Sequence, residues 1–139
     1  MTSSSNLLLP GKPWRNWFGE NAFVPTFTAE PRTEDDGRRI VIEARKQGLP
    51  VRPSGLRHSL PAVVPTHGVL IDFVHMAGVT NVDSERLRVT FEPGISVGDL
   101  SRHLRTKGMS LANQGDIDIQ SVCGAIATGT HGSGLALAC

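Results

Sequence analysis

Apolar residues along the chain mark out three strand-like stretches and two helices. Residues 69–74 (VLIDFV) are nearly all apolar, as in a strand covered on both faces. Leu87, Val89 and Phe91 alternate with Arg88, Thr90 and Glu92, which predicts a half-buried strand ended by Pro93 and Gly94. Residues 23–29, rich in Phe, Val and Thr, predict a short strand closed by Pro31. Shorter extended segments are expected at 49–53 and 109–112.

Thr33 opens the first helix as its N-cap. Glu34, Asp35 and Asp36 follow, where the helix dipole favours negative charge. Ile40, Val41 and Ala44 continue it, Arg45 and Lys46 fill its last turn, and Gly48 stops it; Gly37 is a weak point inside it. The second helix starts at Ser96, with Asp99 three residues on in a capping-box-like arrangement. Its inward face is Val97, Leu100 and Leu104, and Gly108 ends it. Residues 120–128 predict a short helix of small residues running into GTHGSG. Residues 1–13 are expected to be flexible, with order starting at Trp14 and Trp17, whose large apolar surfaces need partners. The order strand–helix–strand–loop–strand–strand–helix–strand predicts an α+β or α/β fold with a mixed sheet and no internal repeat.

Composition removes several function classes. A length of 139 residues is that of one domain, and a net charge of +1 gives no electrostatic case for binding nucleic acid or an anionic membrane surface. The leucines at 7–9 are too short a run for a signal-peptide core, and no stretch approaches a membrane span, so a cytoplasmic protein is expected. Cys123 and Cys139 do not make a disulfide framework, which agrees with a reducing compartment.

Two segments carry candidate chemistry. The first is 52–59 (RPSGLRHS), a turn between extended segments, with hydroxyls on Ser54 and Ser59 and close backbone approach permitted at Gly55. Successive N–H groups in such a turn form an anion-binding nest, and Arg57 adds charge beside a phosphate. A plain tight turn with an exposed His58 fits this segment equally well. The second is 121–134 (SVCGAIATGTHGSG). Its four glycines, with Ala125, Ala127, Thr128, Thr130 and Ser133, give a backbone stripped of bulk, suited to a flat ring or a diphosphate. The alternative, a flexible glycine-rich linker, fits less well because Val122 and Ile126 are apolar. There is no GxxxxGK[ST] loop, no GxGxxG fingerprint and no GxSxG elbow. The histidines at 58, 67, 75, 103 and 131 lack metal-ligand spacing, so no metal site is expected. His67 and His103 read as surface residues.

Taken together, WRNWFG, EPRTEDD, SGLRHS, THGVLIDF, VTFEPGISVGDL and QGDIDIQSVCGAIATGTHGSG resemble, in this order, the FAD-binding PCMH-type domain of the vanillyl-alcohol oxidase superfamily. The branch resembled is that of sugar-1,4-lactone oxidases (gulonolactone and arabinonolactone oxidase-like) and alditol oxidases. The resemblance runs from about Trp14 to the C-terminus, and ATGTHGSG is its most specific part. It implies an α+β PCMH-type fold, a small mixed sheet with flanking helices, over 14–139. That fold would be incomplete at the C-terminus, without the substrate-binding cap domain. It implies that Arg52, Pro53, Ser54, Gly55, Leu56, Arg57, His58 and Ser59 wrap the FAD diphosphate and flavin edge. Ser121, Val122, Gly124, Thr128, Gly129, Thr130 and His131 would line the other side of the cofactor, with Asp116 a further candidate. In many such proteins the histidine matching His58 is bonded covalently to the flavin 8α carbon. The implied activity is oxidation of a CH–OH group of a sugar lactone or polyol by the flavin. The alternative is a flavin-binding fragment without turnover of its own. An incomplete sheet would leave edges through which the chain self-associates. A third reading is a small α/β protein unrelated to flavin, whose glycine runs are structural. Three positions depart from the family pattern. Arg57 stands where glycine is frequent, Asp116 where a neutral hydroxyl occurs, and His67 where a turn aspartate is common.

Overall fold

A computed structural model describes residues 6–137, so Cys139 lies outside the described residues. The chain divides into two compact units, up to His75 and from Met76 onward.

In the first unit the strands are β1 (Leu9–Pro10), β2 (Trp14–Arg15), β3 (Ala22–Phe23) and β4 (Phe27–Ala29). Helix α1 (Glu34–Lys46) follows, then β5 (Val51–Ser54) and β6 (Val69–Asp72). The main sheet has the order β1-β4-β6-β5. β1 runs antiparallel to β4, while β4, β6 and β5 are parallel, so the expected mixed sheet is present. β6 is central, and its Val69, Leu70 and Ile71 are all buried, as a continuous apolar run requires. Val69 and Ile71 share a face, and Ile40 and Ala44 of α1 pack with them, Leu8 and Ala29 into one core. Ile40 is fully buried, which contributes about 1.5–3 kcal/mol relative to exposure.

The ends of α1 follow its sequence signals. Thr33 Oγ1 accepts the Asp36 N–H, and Asp36 Oδ2 accepts the N–H groups of Thr33 and Arg32, each at 3.1 Å. These N–H donors, Arg32 first, hold the Asp36 carboxyl below its ordinary value. At the other end Gly48 has φ +66°, and the N–H groups of Gly48 and Leu49 return to the carbonyls of Arg45 and Ala44 in a Schellman motif.

The strand expected over 23–29 is two strands in two sheets. Pro25 lies at the break: Phe23 pairs with Trp14 in a β2–β3 hairpin, while Phe27 joins Val69 in the main sheet. Within the 1–13 stretch expected to be flexible, Leu8 is buried and Leu9 pairs with Thr28.

The second unit contains the hairpin β7 (Val79–Asp83) and β8 (Arg88–Phe91), α2 (Val97–Arg105) and α3 (Val122–Ala127). Its core gathers Ile95, Val97, Leu100 and Leu104 with Val122 and Ala125. β7 was not anticipated. Leu87, expected as an inward strand residue, is exposed in the connecting turn with φ +52°. Residues 109–112 form no strand; Met109 and Leu111 pack on the core as irregular chain.

Ser96 caps α2. Its Oγ accepts the Asp99 N–H at 2.9 Å and donates to Asp99 Oδ2 at 2.6 Å, and Arg102 also pairs with this carboxylate. The Ser96 hydroxyl, then Arg102, hold Asp99 below its ordinary 3.8. Its folded pKa is depressed, so its contribution is complete above 3.8 and is lost as pH falls through the folded value. Asp99→Asn is therefore expected to flatten the loss of thermal midpoint between about pH 5 and pH 2. An unchanged acid slope would contradict this. Among the described residues no helix is long and apolar enough to cross a membrane.

Candidate flavin site

β5 and β6 end side by side, with Ser54 opposite Asp72, and the loop 55–59 leaves from this C-terminal edge. Arg52 and Pro53 are exposed on β5, which is an edge strand and so tolerates proline. Ser54 is buried, and its Oγ accepts the Trp14 indole N–H at 2.9 Å and donates to the Gly55 carbonyl at 3.1 Å. That hydroxyl is spent on holding the loop.

The hairpin of β2 and β3 grips the loop at further points. Trp17 N–H donates to the Arg57 carbonyl at 2.9 Å, Asn16 Nδ2 to the Ser59 carbonyl at 3.2 Å, and Asn21 Nδ2 to the Leu60 carbonyl at 2.7 Å. Trp14 is itself buried and packs on Phe23, with ring centroids 5.2 Å apart. The Trp17 ring stacks on the His58 imidazole, with centroids 5.5 Å apart and planes 27° from parallel. These clamps take carbonyls, and the N–H groups of residues 55–59 have no protein acceptor among the described residues. Free donors on a loop clamped through its carbonyls suit an anion with several oxygens.

Arg57 has φ +68°, the left-handed region where an ordinary residue costs about 1–2 kcal/mol. Here arginine is held there by the Trp17 hydrogen bond and by its guanidinium 3.3 Å from Asp72 Oδ2. Leu56 is exposed, and His58 and Ser59 are half-buried.

In the second unit, Ser121 caps α3. Its Oγ accepts the Gly124 N–H at 3.2 Å, and Val122 N–H donates to the Ile95 carbonyl at 3.0 Å. Ser121 and Val122 are buried, and the Val122 side chain belongs to the core. Gly129, with φ +64°, ends α3. Its N–H bonds to the Ile126 carbonyl and that of Thr130 to the Ala125 carbonyl, a second Schellman motif. Thr128 Oγ1 donates to the Gly124 carbonyl at 3.0 Å and lies 3.2 Å from Thr130 Oγ1. His131 Nδ1 lies 2.7 Å from the Gly132 carbonyl. A carbonyl only accepts, so Nδ1 carries a proton and donates in this contact.

This segment rests on 113–116. Gly132 N–H donates to Asn113 Oδ1 at 2.9 Å, and a Cβ on Gly115 would meet Thr130 Cγ2 at 3.1 Å. Asp116 is exposed on that supporting loop. Cys123 is a free thiol, pushed up by desolvation and so neutral. Among the described residues no cluster of His, Cys, Asp or Glu could hold a metal ion.

The FAD binding domain family matches residues 25–138. The chain belongs to this family. Over 122 residues this FAD binding domain is 38% identical to an L-gulono-1,4-lactone dehydrogenase of Mycobacterium tuberculosis, covering 88% of the chain and 28% of that protein. A D-arabinono-1,4-lactone oxidase of Eremothecium gossypii is 36% identical, with 86% and 23% covered. An L-gulonolactone oxidase of Bos taurus is 31% identical, with 90% and 28% covered. The chain thus spans about a quarter of the length of these relatives. Among solved structures, cholesterol oxidase from B. sterolicum superposes with a TM-score of 0.82 at 22% identity, over 96% of this chain and 26% of its own. An alkyldihydroxyacetonephosphate synthase gives 0.72 at 25% identity, over 82% and 24%. The fold is therefore the FAD-binding PCMH-type fold. The chain is an FAD-binding domain similar in sequence to part of these lactone dehydrogenases and oxidases.

Trp14, Asn16, Trp17, Asn21 and Asp72 belong to the site's framework and had not been singled out as such. The signal was the unpaired bulk of WRNWFG, whose partner lies some forty residues on.

Proposed function

We propose that this domain serves an enzyme oxidising a CH–OH group of a sugar lactone or alditol, and that both glycine-containing segments contact FAD. The observation that carries the reading is the loop 55–59, whose N–H groups have no acceptor among the described residues while the carbonyls of Arg57 and Ser59 are clamped by the β2–β3 hairpin. These N–H groups and the Arg57 guanidinium are assigned to the FAD diphosphate. The main chain at Gly124 and from Thr128 to His131, low in bulk, is assigned to a further part of the cofactor. The Ser121 and Val122 side chains act by holding that main chain in place. Asp116, exposed one residue after the Gly115 that adjoins Thr130, is assigned as a further cofactor-binding candidate. The lactone substrate class is supported by the relatives' names, and bound FAD would supply acceptance of a hydride from the substrate C–H.

His58 is assigned as the residue bonded covalently to the flavin 8α carbon. Its imidazole is half-buried beside the loop's free donors, and neutral imidazole is a good nucleophile. The chain is loaded with FAD, acid-precipitated and run on a denaturing gel under ultraviolet light. The expected result is a fluorescent band at the protein mass that is absent in His58→Ala. A band that persists in His58→Ala, or FAD wholly released on precipitation, would contradict the assignment.

A further inference from the structure

Trp17 presents an aromatic face to His58 while remaining 66% exposed, an unusual placement for the largest apolar side chain. Its position is fixed rather than incidental. Its own N–H is bonded to the carbonyl of Arg57, the residue just before His58, so the two rings are held in register by the backbone. On its other side the Phe18 ring meets it edge-on, with centroids 5.1 Å apart and planes at 72°. A tryptophan that served only the clamp would need its backbone N–H and not its ring.

We propose that the Trp17 indole positions His58 for covalent flavin attachment and stabilises the positive charge that its imidazole acquires as the bond forms. The inference rests on the assignment of His58 made above. In that step a lone pair of neutral His58 forms the N–C8α bond. One proton leaves the 8α carbon and one leaves the imidazole, and the electron pair passes to the isoalloxazine, which dioxygen later reoxidises. Between bond formation and loss of its N–H proton, His58 is an imidazolium. An aromatic face within about 6 Å attracts a cation through its quadrupole, and tryptophan does so most strongly. The 5.5 Å stack meets that distance. The same stack limits the imidazole to one orientation, so less rotamer freedom is lost as the bond forms.

The test is a time course of covalent attachment at saturating FAD, read as protein-bound fluorescence after acid precipitation. Non-covalent affinity is measured separately in the His58→Ala background. Trp17→Leu is expected to slow attachment about fivefold to thirtyfold, with Trp17→Phe recovering most of the rate. In the His58→Ala background, adding Trp17→Leu is expected to leave FAD affinity unchanged. Attachment by Trp17→Leu at the unsubstituted rate overturns the proposal. So does a matching fall in non-covalent affinity, which would mean that the ring only props the loop. If the unsubstituted chain forms no covalent product, the His58 assignment fails first and this inference with it. Covalent attachment lost in His58→Ala but indifferent to Trp17 overturns this inference alone.

Discussion

Gly132→Ala is expected to weaken FAD binding about tenfold to a hundredfold. A Cβ at this position would stand 2.5 Å from both Asn113 Oδ1 and the Gln114 carbonyl oxygen, closer than carbon and oxygen approach. The Asn113 side chain can swing away, but only by releasing the Gly132 N–H it now accepts. The Gln114 carbonyl is main chain and does not yield locally. The segments 113–115 and 130–132 must therefore separate, at the roughly 1–3 kcal/mol typical of overpacking. That separation displaces the main chain assigned to FAD at Thr130 and His131. Ser133→Ala, next door and exposed, is the control and should bind within about twofold of the unsubstituted chain. Fluorescence quenching of FAD measures both. Equal affinity for Gly132→Ala would remove this segment from the cofactor site.

Leu100→Ala is expected to destabilise the second unit by about 3–4 kcal/mol. Leu100 is fully buried on the inner face of α2, in one core with Val122 and Ala125 of α3. Truncation leaves a cavity under the helix that precedes the glycine-rich segment, so the damage reaches the site through packing. Urea unfolding followed by circular dichroism gives the loss of stability. Hydrogen exchange should show weaker protection across 122–130. A loss under about 1 kcal/mol would mean that this core is not what holds α3.

What was legible in the sequence was local. The N-caps at Thr33 and Ser96 and the glycine stops at Gly48 and Gly108 work over three to five residues, and the structure has them where the pattern put them, although only Thr33 completes a reciprocal capping box. The buried strand expected over 69–74 is present as Val69–Asp72, its first three residues buried because an interior parallel strand needs apolar residues on both faces, whereas Val74 lies past its end and is exposed. What failed depends on pairing between distant residues. β7 carries Thr80, Asn81 and Asp83 and has little apolar pattern of its own; it exists because β8 pairs with it. Met109 and Leu111 have strand-like composition but no neighbouring strand, so they pack as irregular chain. The candidate site was legible as two segments and not as a mechanism. Ser54 offered a hydroxyl that the Trp14 indole takes, and Arg57 hid a left-handed backbone behind a side chain that rarely adopts it.

The most direct test of the central claim is FAD retention. The purified chain is incubated with excess FAD, passed through a desalting column, and its visible spectrum recorded beside its circular dichroism. The expected result is a folded, yellow protein carrying about one FAD per chain. A folded protein that emerges colourless would contradict the assignment of these loops to the cofactor.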